Sequence, residues 1–167
     1  MADIYRAAER FMGMSEEVWA RHANPWSAFT RFTVLPLLAL AIWSRVWVGP
    51  WAWLLILLAL IWNWLNPRLF SPPSSLDNWA SRGVLGERIW LNRRNEVRAH
   101  HKTWAVILTV ASVPGVVFLG LGLWQLRMDW TVFGMLLAVL PKVWFVDRMV
   151  WAYQDWLSDH GKELGDV

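Results

Sequence analysis

The sequence predicts an all-α polytopic membrane protein, with four transmembrane helices arranged as two hairpins and short amphipathic helices at the membrane interface. Three observations carry this expectation. Apolar residues make up 56% of the 167 residues and charged residues only 17%, below the roughly one quarter usual in soluble domains. There are 16 tryptophans, and Trp favours the membrane–water boundary, where its ring meets acyl chains and its N–H reaches water. The basic residues are also segregated. Four lie in residues 1–32, seven in 66–103 and two beyond residue 147, leaving Arg45, Arg127 and Lys142 elsewhere.

Length makes this one domain, residues 1–167. It divides into a cytoplasmic amphipathic segment 1–24, a first hairpin 25–65, a cytoplasmic central segment 66–103, a second hairpin 104–150 and a cytoplasmic tail 151–167. The net charge of +3 and pI near 9.8 do not point to nucleic acid, because the basic residues flank apolar blocks instead of forming one patch. There are no cysteines, which removes disulfides, thiolate metal sites and Cys nucleophiles. The N-terminal stretch lacks the continuous apolar run of a cleavable signal, so an unprocessed, cytoplasmic N-terminus is expected.

In chain order, Ile4, Tyr5, Ala8, Phe11 and Met12 recur at helical spacing and predict a surface helix over residues 3–13. Ser15 before Glu16 and Glu17 predicts a capped turn ending near His22, and Asn24-Pro25 opens the next helix. From Pro25 to Val48 there are 24 residues, about 36 Å of helix, enough to cross a bilayer with Arg31 at the entry interface and a slight kink at Pro36. Gly49-Pro50 breaks this helix, and the second apolar run, residues 51–65, has 15 residues and borrows Asn66. Arg45 at that turn is expected to snorkel outward and stack on indole.

The third run, residues 104–126, has 23 residues, with Ala111, Gly115 and Gly122 forming a small-residue stripe for close helix approach. Arg127-Met128-Asp129 makes the second outer turn. The fourth run, residues 130–146, is expected to be interrupted at Pro141-Lys142 and to continue as an aromatic helix. The basic excess then predicts that both termini and the central segment face the cytoplasm of a cell inner (plasma) membrane. A short rhyme, Arg21-His22 before Trp26 and His100-His101 before Trp104, hints at an internal repeat.

Three motifs carry a resemblance: Arg21-His22-Ala23-Asn24-Pro25-Trp26-Ser27, the run from Asp77-Asn78-Trp79 through Arg82-Gly83-Val84-Leu85-Gly86-Glu87-Arg88, and Lys142-Val143-Trp144 through Asp147-Arg148-Met149-Val150-Trp151. Together they resemble a family of small prokaryotic multipass membrane proteins known as a domain of unknown function. That resemblance implies a multipass fold over nearly the whole chain and transfers no functional residues.

The candidate chemistry centres on the central segment. Asp77 is the expected N-cap of a short helix whose apolar face includes Trp79, Val84, Leu85, Ile89 and Trp90. Its arginines suit phosphates at the membrane surface. A sharper version is an enclosed pocket in which Asn78, Arg82, Glu87 and Arg88 hold a headgroup or anionic metabolite, since the arginine fork pairs bidentately with phosphate or carboxylate. Lys142, the one ionisable residue well inside a span, marks a functional position or snorkels to a partner such as Glu87 or Asp77. His22, His100 and His101, with Glu87, Asp147 or Asp155, are the candidate metal ligands. Against that, adjacent His100 and His101 point about 100° apart on a helix, and helix-capping histidines are commoner. Asp147 and Asp155 share a face suited to arginines of the central segment, and Asn63 and Asn66 suit interhelical glue.

The leading expectation is an integral membrane protein of unassigned activity that binds lipid headgroups, or a partner, through a basic, Trp-rich cytoplasmic cap. Its partners would be membrane lipids, with a homo-oligomer as a further possibility and no nucleic acid. The alternatives are a small membrane enzyme or metal protein built on the interfacial histidines, and an oligomeric channel or transporter. No cofactor is assigned, as no attachment signature is present.

Overall fold

A computed structural model of the chain describes residues 12–161. Most of the surface helix expected over residues 3–13, and the tail beyond Gly161, fall outside the described residues. Among the described residues every regular element is helical.

The first helix, α1 (Glu16–His22), is capped by Ser15, whose Oγ accepts from the Val18 N–H at 3.4 Å. Its acidic first turn and basic last turn both suit the helix dipole. Asn24 caps α2 (Pro25–Arg31), accepting from the Trp26 N–H at 2.9 Å. The single helix expected from Pro25 to Val48 is instead three pieces: α2, α3 (Val34–Trp43) and α4 (Arg45–Val48). Pro36 has no N–H for the Phe32 carbonyl, so the chain tightens at Phe32 and Thr33, whose N–H groups bond three residues back. At the second break the Ser44 hydroxyl donates to the Ala41 carbonyl at 2.6 Å, competing with the backbone ladder.

Gly49, at φ +56°, reverses the chain into α5 (Ala52–Leu69), which packs along α3. Arg45 does not stack on indole there. It donates to the carbonyls of Leu123 and Trp124 at the end of a distant helix, satisfying orphan acceptors.

Asn78, not Asp77, caps α6 (Trp79–Asn92), its Oδ1 accepting from the Ser81 N–H at 2.8 Å. The third apolar run is two helices, α7 (Ala99–Ala111) and α8 (Val113–Gln125), parted at Ser112 just before Pro114. The last helix, α9 (Met128–His160), runs 33 residues straight through Pro141, without the expected interruption. At about 50 Å it is longer than a roughly 30 Å hydrocarbon core.

Helix α9 is what α6, α7 and α8 assemble on. Two of these contacts are backbone against backbone. A Cβ at Gly134 of α9 would lie 2.2 Å from the Leu119 nitrogen of α8, and one at Gly86 of α6 would lie 1.9 Å from the Met149 carbonyl oxygen. The main buried core is at this docked end, where Ile89, Trp90, Phe145, Met149, Tyr153 and Trp156 interlock.

The opposite character marks the outer surface. Leu54, Leu57, Leu58 and Leu60 of α5 are exposed, and Trp51, Trp53 and Trp124 are exposed by 73–81%. Among the described residues, three stretches are long and apolar enough to cross a membrane: Pro25–Leu69, Ala99–Gln125 and Met128–His160. The first of them is folded back at Gly49.

Candidate functional site

A cavity of about 530 Å³ lies between the first half of the chain and the α8–α9 pair, under a roof made by α1 and α6. Its wall is mostly apolar, with Leu35, Val84, Val116, Ala138 and Val139 among the lining residues. Among the described residues, four ionisable side chains interrupt that wall: His22, Arg31, Glu87 and Lys142.

Arg31 and His22 form one end of a directional hydrogen-bond chain. Arg31 Nη1 lies 2.7 Å from His22 Nε2. A guanidinium only donates, so Nε2 must be the acceptor and the ring proton must sit on Nδ1. Nδ1 then donates to Ser27 Oγ at 3.0 Å, and that hydroxyl donates to Asn66 Oδ1 at 3.2 Å. Asn66 Nδ2 passes the chain to Thr30 Oγ1 at 2.8 Å, and Thr30 ends it on the Trp26 carbonyl at 2.5 Å. Each group donates once to the next, so the tautomer and the arginine's orientation are fixed together. Burial, then the Arg31 charge, pushes the His22 imidazole down from 6.5 to about 3, with Glu87 opposing and Lys142 assisting.

Lys142 Nζ meets Glu87 Oε1 at 3.0 Å across the cavity mouth, 52% exposed against 23%. Burial works to raise the Glu87 carboxyl, but the Lys142 charge and hydrogen bond, with further help from Arg31, hold it below its ordinary value. Lys142 therefore has the partner the sequence suggested. Arg31 does not: among the described residues its sole hydrogen-bond partner is His22, and no carboxylate pairs with it. Among those residues, four of its five N–H donors thus remain uncommitted in an apolar wall.

The chain matches a family of unknown function, DUF6653, over residues 4–164. It belongs to that family. No curated protein and no solved structure matches it, so the function of this DUF6653 chain is read from its own geometry.

The residues singled out in the sequence divide between several places. Glu87 and Lys142 line the cavity; Asn78, Arg82 and Arg88 do not. Asn78 is spent on the α6 cap, with Nδ2 also donating to Ser81 Oγ at 2.8 Å. Arg82 pairs with Asp77, and Arg88 reaches from α6 to Glu16 on α1, fastening the roof together. Asp147 accepts from the Trp79 indole N–H at 3.1 Å.

The three histidines do not meet. His22 belongs to the cavity, whereas His100 and His101 stand in the first turn of α7, with ring centroids 4.0 Å apart. His101 Nε2 lies 2.9 Å from Asp155 Oδ2, and His100 Nε2 lies 3.9 Å from the same oxygen. These three donor atoms fall within 4.8 Å of one another. However, Arg98 Nη1 already holds Asp155 at 3.0 Å. His101 Nδ1 is buried without a partner among the described residues, whereas a metal-bound His normally donates its second N–H to an outer group. The cluster suits an ion-paired joint between α7 and α9 better than a metal centre.

Ser27, Thr30 and Arg31 belong to the site although their sequence positions give them no assigned binding role. A signal was present: positions 27, 30 and 31 place a polar stripe at i, i+3 and i+4 on an otherwise apolar helix. Asn66, expected as interhelical glue, performs that role on Ser27 and Thr30.

Proposed function

We propose that this DUF6653 protein is a four-crossing membrane protein, two hairpins with a cytoplasmic cap, that binds an anionic lipid headgroup in the cavity at Arg31 and Lys142. The fold-back at Gly49, the long α9 and the exposed Leu and Trp surface support the four crossings. The distribution of basic residues supports a cytoplasmic cap and both termini on the inner side of the plasma membrane.

One observation carries the binding function. Arg31 lines a largely apolar cavity, is held in one orientation by a neutral histidine, and has no carboxylate partner among the described residues. A guanidinium in such a wall with no carboxylate in direct contact among the described residues is costly, the nearby Glu87 being already paired with Lys142. An anion delivered from the adjacent lipid offsets that cost with charge-assisted hydrogen bonds. The Arg82 and Arg88 surface is the first choice from sequence, but both arginines are occupied by acidic side chains.

Titrating the detergent-purified protein with anionic and zwitterionic lipids tests this, using tryptophan fluorescence, because Trp19 and Trp79 line the cavity. A saturable response to anionic lipid alone, lost in Arg31→Gln, is expected. An equal response to both lipid classes would refute the proposal.

A further inference from the structure

If the cavity is an anion site, its charge and size also restrict the ligand. Resting on that reading, we propose that the ligand is a single-chain amphiphile carrying one negative charge, of the long-chain carboxylate class, and not a diacyl phospholipid.

The charge count comes first. Among the described lining residues, Arg31 and Lys142 are cationic, Glu87 is anionic, and His22 must be neutral to accept from Arg31. One positive charge is left over. A monoanion closes the balance, whereas a doubly charged phosphate would leave a negative charge in a low-dielectric wall. A carboxylate also matches the planar two-donor edge of a guanidinium.

Volume comes second. At about 30 Å³ per water-sized group, 530 Å³ admits on the order of 18 such groups, enough for one long chain with its head but not for two chains and a glycerophosphate.

Shape comes third. Lys142 stands midway along the α9 wall, and apolar lining continues beyond it. Along α9 the wall runs from Val146 past Lys142 to Val139 and Ala138, and Val116 of α8 joins it there. Four residues of helix separate Lys142 from Ala138, about 6 Å. That is less than half of one leaflet's share of a roughly 30 Å core. A head at Arg31 and Lys142 would therefore place its chain parallel to the lipid tails.

The test uses purified full-length protein in zwitterionic nanodiscs, with radiolabelled palmitate as the probe. Hexadecanol, a diacyl phosphatidate and acetate serve as competitors. One palmitate per chain is expected, displaced at least about tenfold less well by hexadecanol or acetate, with phosphatidate failing to compete. Arg31→Gln should weaken binding about tenfold or more. Val139→Phe, which fills the tail end and leaves every charge in place, should do the same. If phosphatidate competes as well as palmitate, the single-chain assignment is wrong while the anion site stands. If palmitate does not bind, or Arg31→Gln binds it normally in a protein that still elutes as a folded species, the cavity is no anion site and both proposals fall.

Discussion

Arg31 Nη1 donates to His22 Nε2 at 2.7 Å, joining a helix that enters the apolar layer to the short helix that roofs it. The contact requires a neutral imidazole, which gives it a direct pH signature. In the unfolded chain His22 takes a proton near 6.5, whereas in the folded chain it refuses one down to about 3. Between those values the unfolded state binds more protons, so stability is complete above the unfolded pKa and falls as pH drops through the window.

Thermal unfolding in detergent from pH 7.5 to 4 should therefore show a decline that begins near pH 6.5, on the order of a few kcal/mol. His22→Gln should be less stable at pH 7.5 and show a flatter decline. Glu87, held below its ordinary value by Lys142, adds a loss of the same sign, present above its unfolded pKa and disappearing only in more acid solution. A wild-type curve flat between pH 7 and 5 would exclude the neutral-histidine contact.

The docking of α6 on α9 is the second testable relationship. Gly86→Ala would place a Cβ 1.9 Å from the Met149 carbonyl oxygen, and main chain cannot swing aside as a side chain does. A loss of about 3 kcal/mol or more is expected, with faster proteolysis in the connection over residues 70–78. Gly120→Ala is the matched control. Nothing lies within 4 Å of its added Cβ, so the change should be neutral or raise stability by up to about 1 kcal/mol. Equal effects at the two glycines would rule out the close approach.

These glycines show which parts of the fold are readable from sequence. Ser15 and Asn24 are legible as caps because capping is a local contest between a side chain and the next turn's N–H groups. The apolar stretches are legible because a span is a matter of length and composition. Glu87 is legible as a partner for Lys142 only as one of two choices. Gly83 and Gly86 look like small residues in an arginine-rich run, because the backbone they touch lies some sixty residues further on. Arg31 reads as a boundary residue for the same reason. Its meaning depends on α6, α8 and α9 closing around it, and on Asn66 from α5 steadying Ser27 and Thr30. The division of residues 25–48 into three helices follows from Pro36 and Ser44, of which the sequence pattern signals only the kink.

Topology can be checked with little ambiguity, since the chain contains no cysteine. Ser74 and Met128 are both exposed and lie at opposite ends of the apolar helices. A membrane-impermeant thiol reagent should label Met128→Cys in intact cells and Ser74→Cys only in inverted vesicles. The reverse pattern would overturn the orientation drawn from the basic residues.

The α7–α9 joint should behave as an ion pair and not as a metal site. Asp155→Asn removes the negative charge shared by Arg98, His100 and His101. It should lower stability by about 1–3 kcal/mol, and chelator should leave the wild-type melting temperature unchanged. A melting temperature that falls with chelator and recovers with zinc would restore the metal assignment.

Native mass spectrometry of the protein taken straight from membranes probes the cavity most directly. Wild-type protein and an Arg82→Gln variant, whose exposed ion pair with Asp77 is worth no more than about 1 kcal/mol, should each carry one anionic amphiphile per chain. The double variant Arg31→Gln, Lys142→Gln should carry none while keeping its folded mass and elution. If wild-type and double variant retain the same amphiphile, or if Arg82→Gln alone loses it, the cavity is not the binding site.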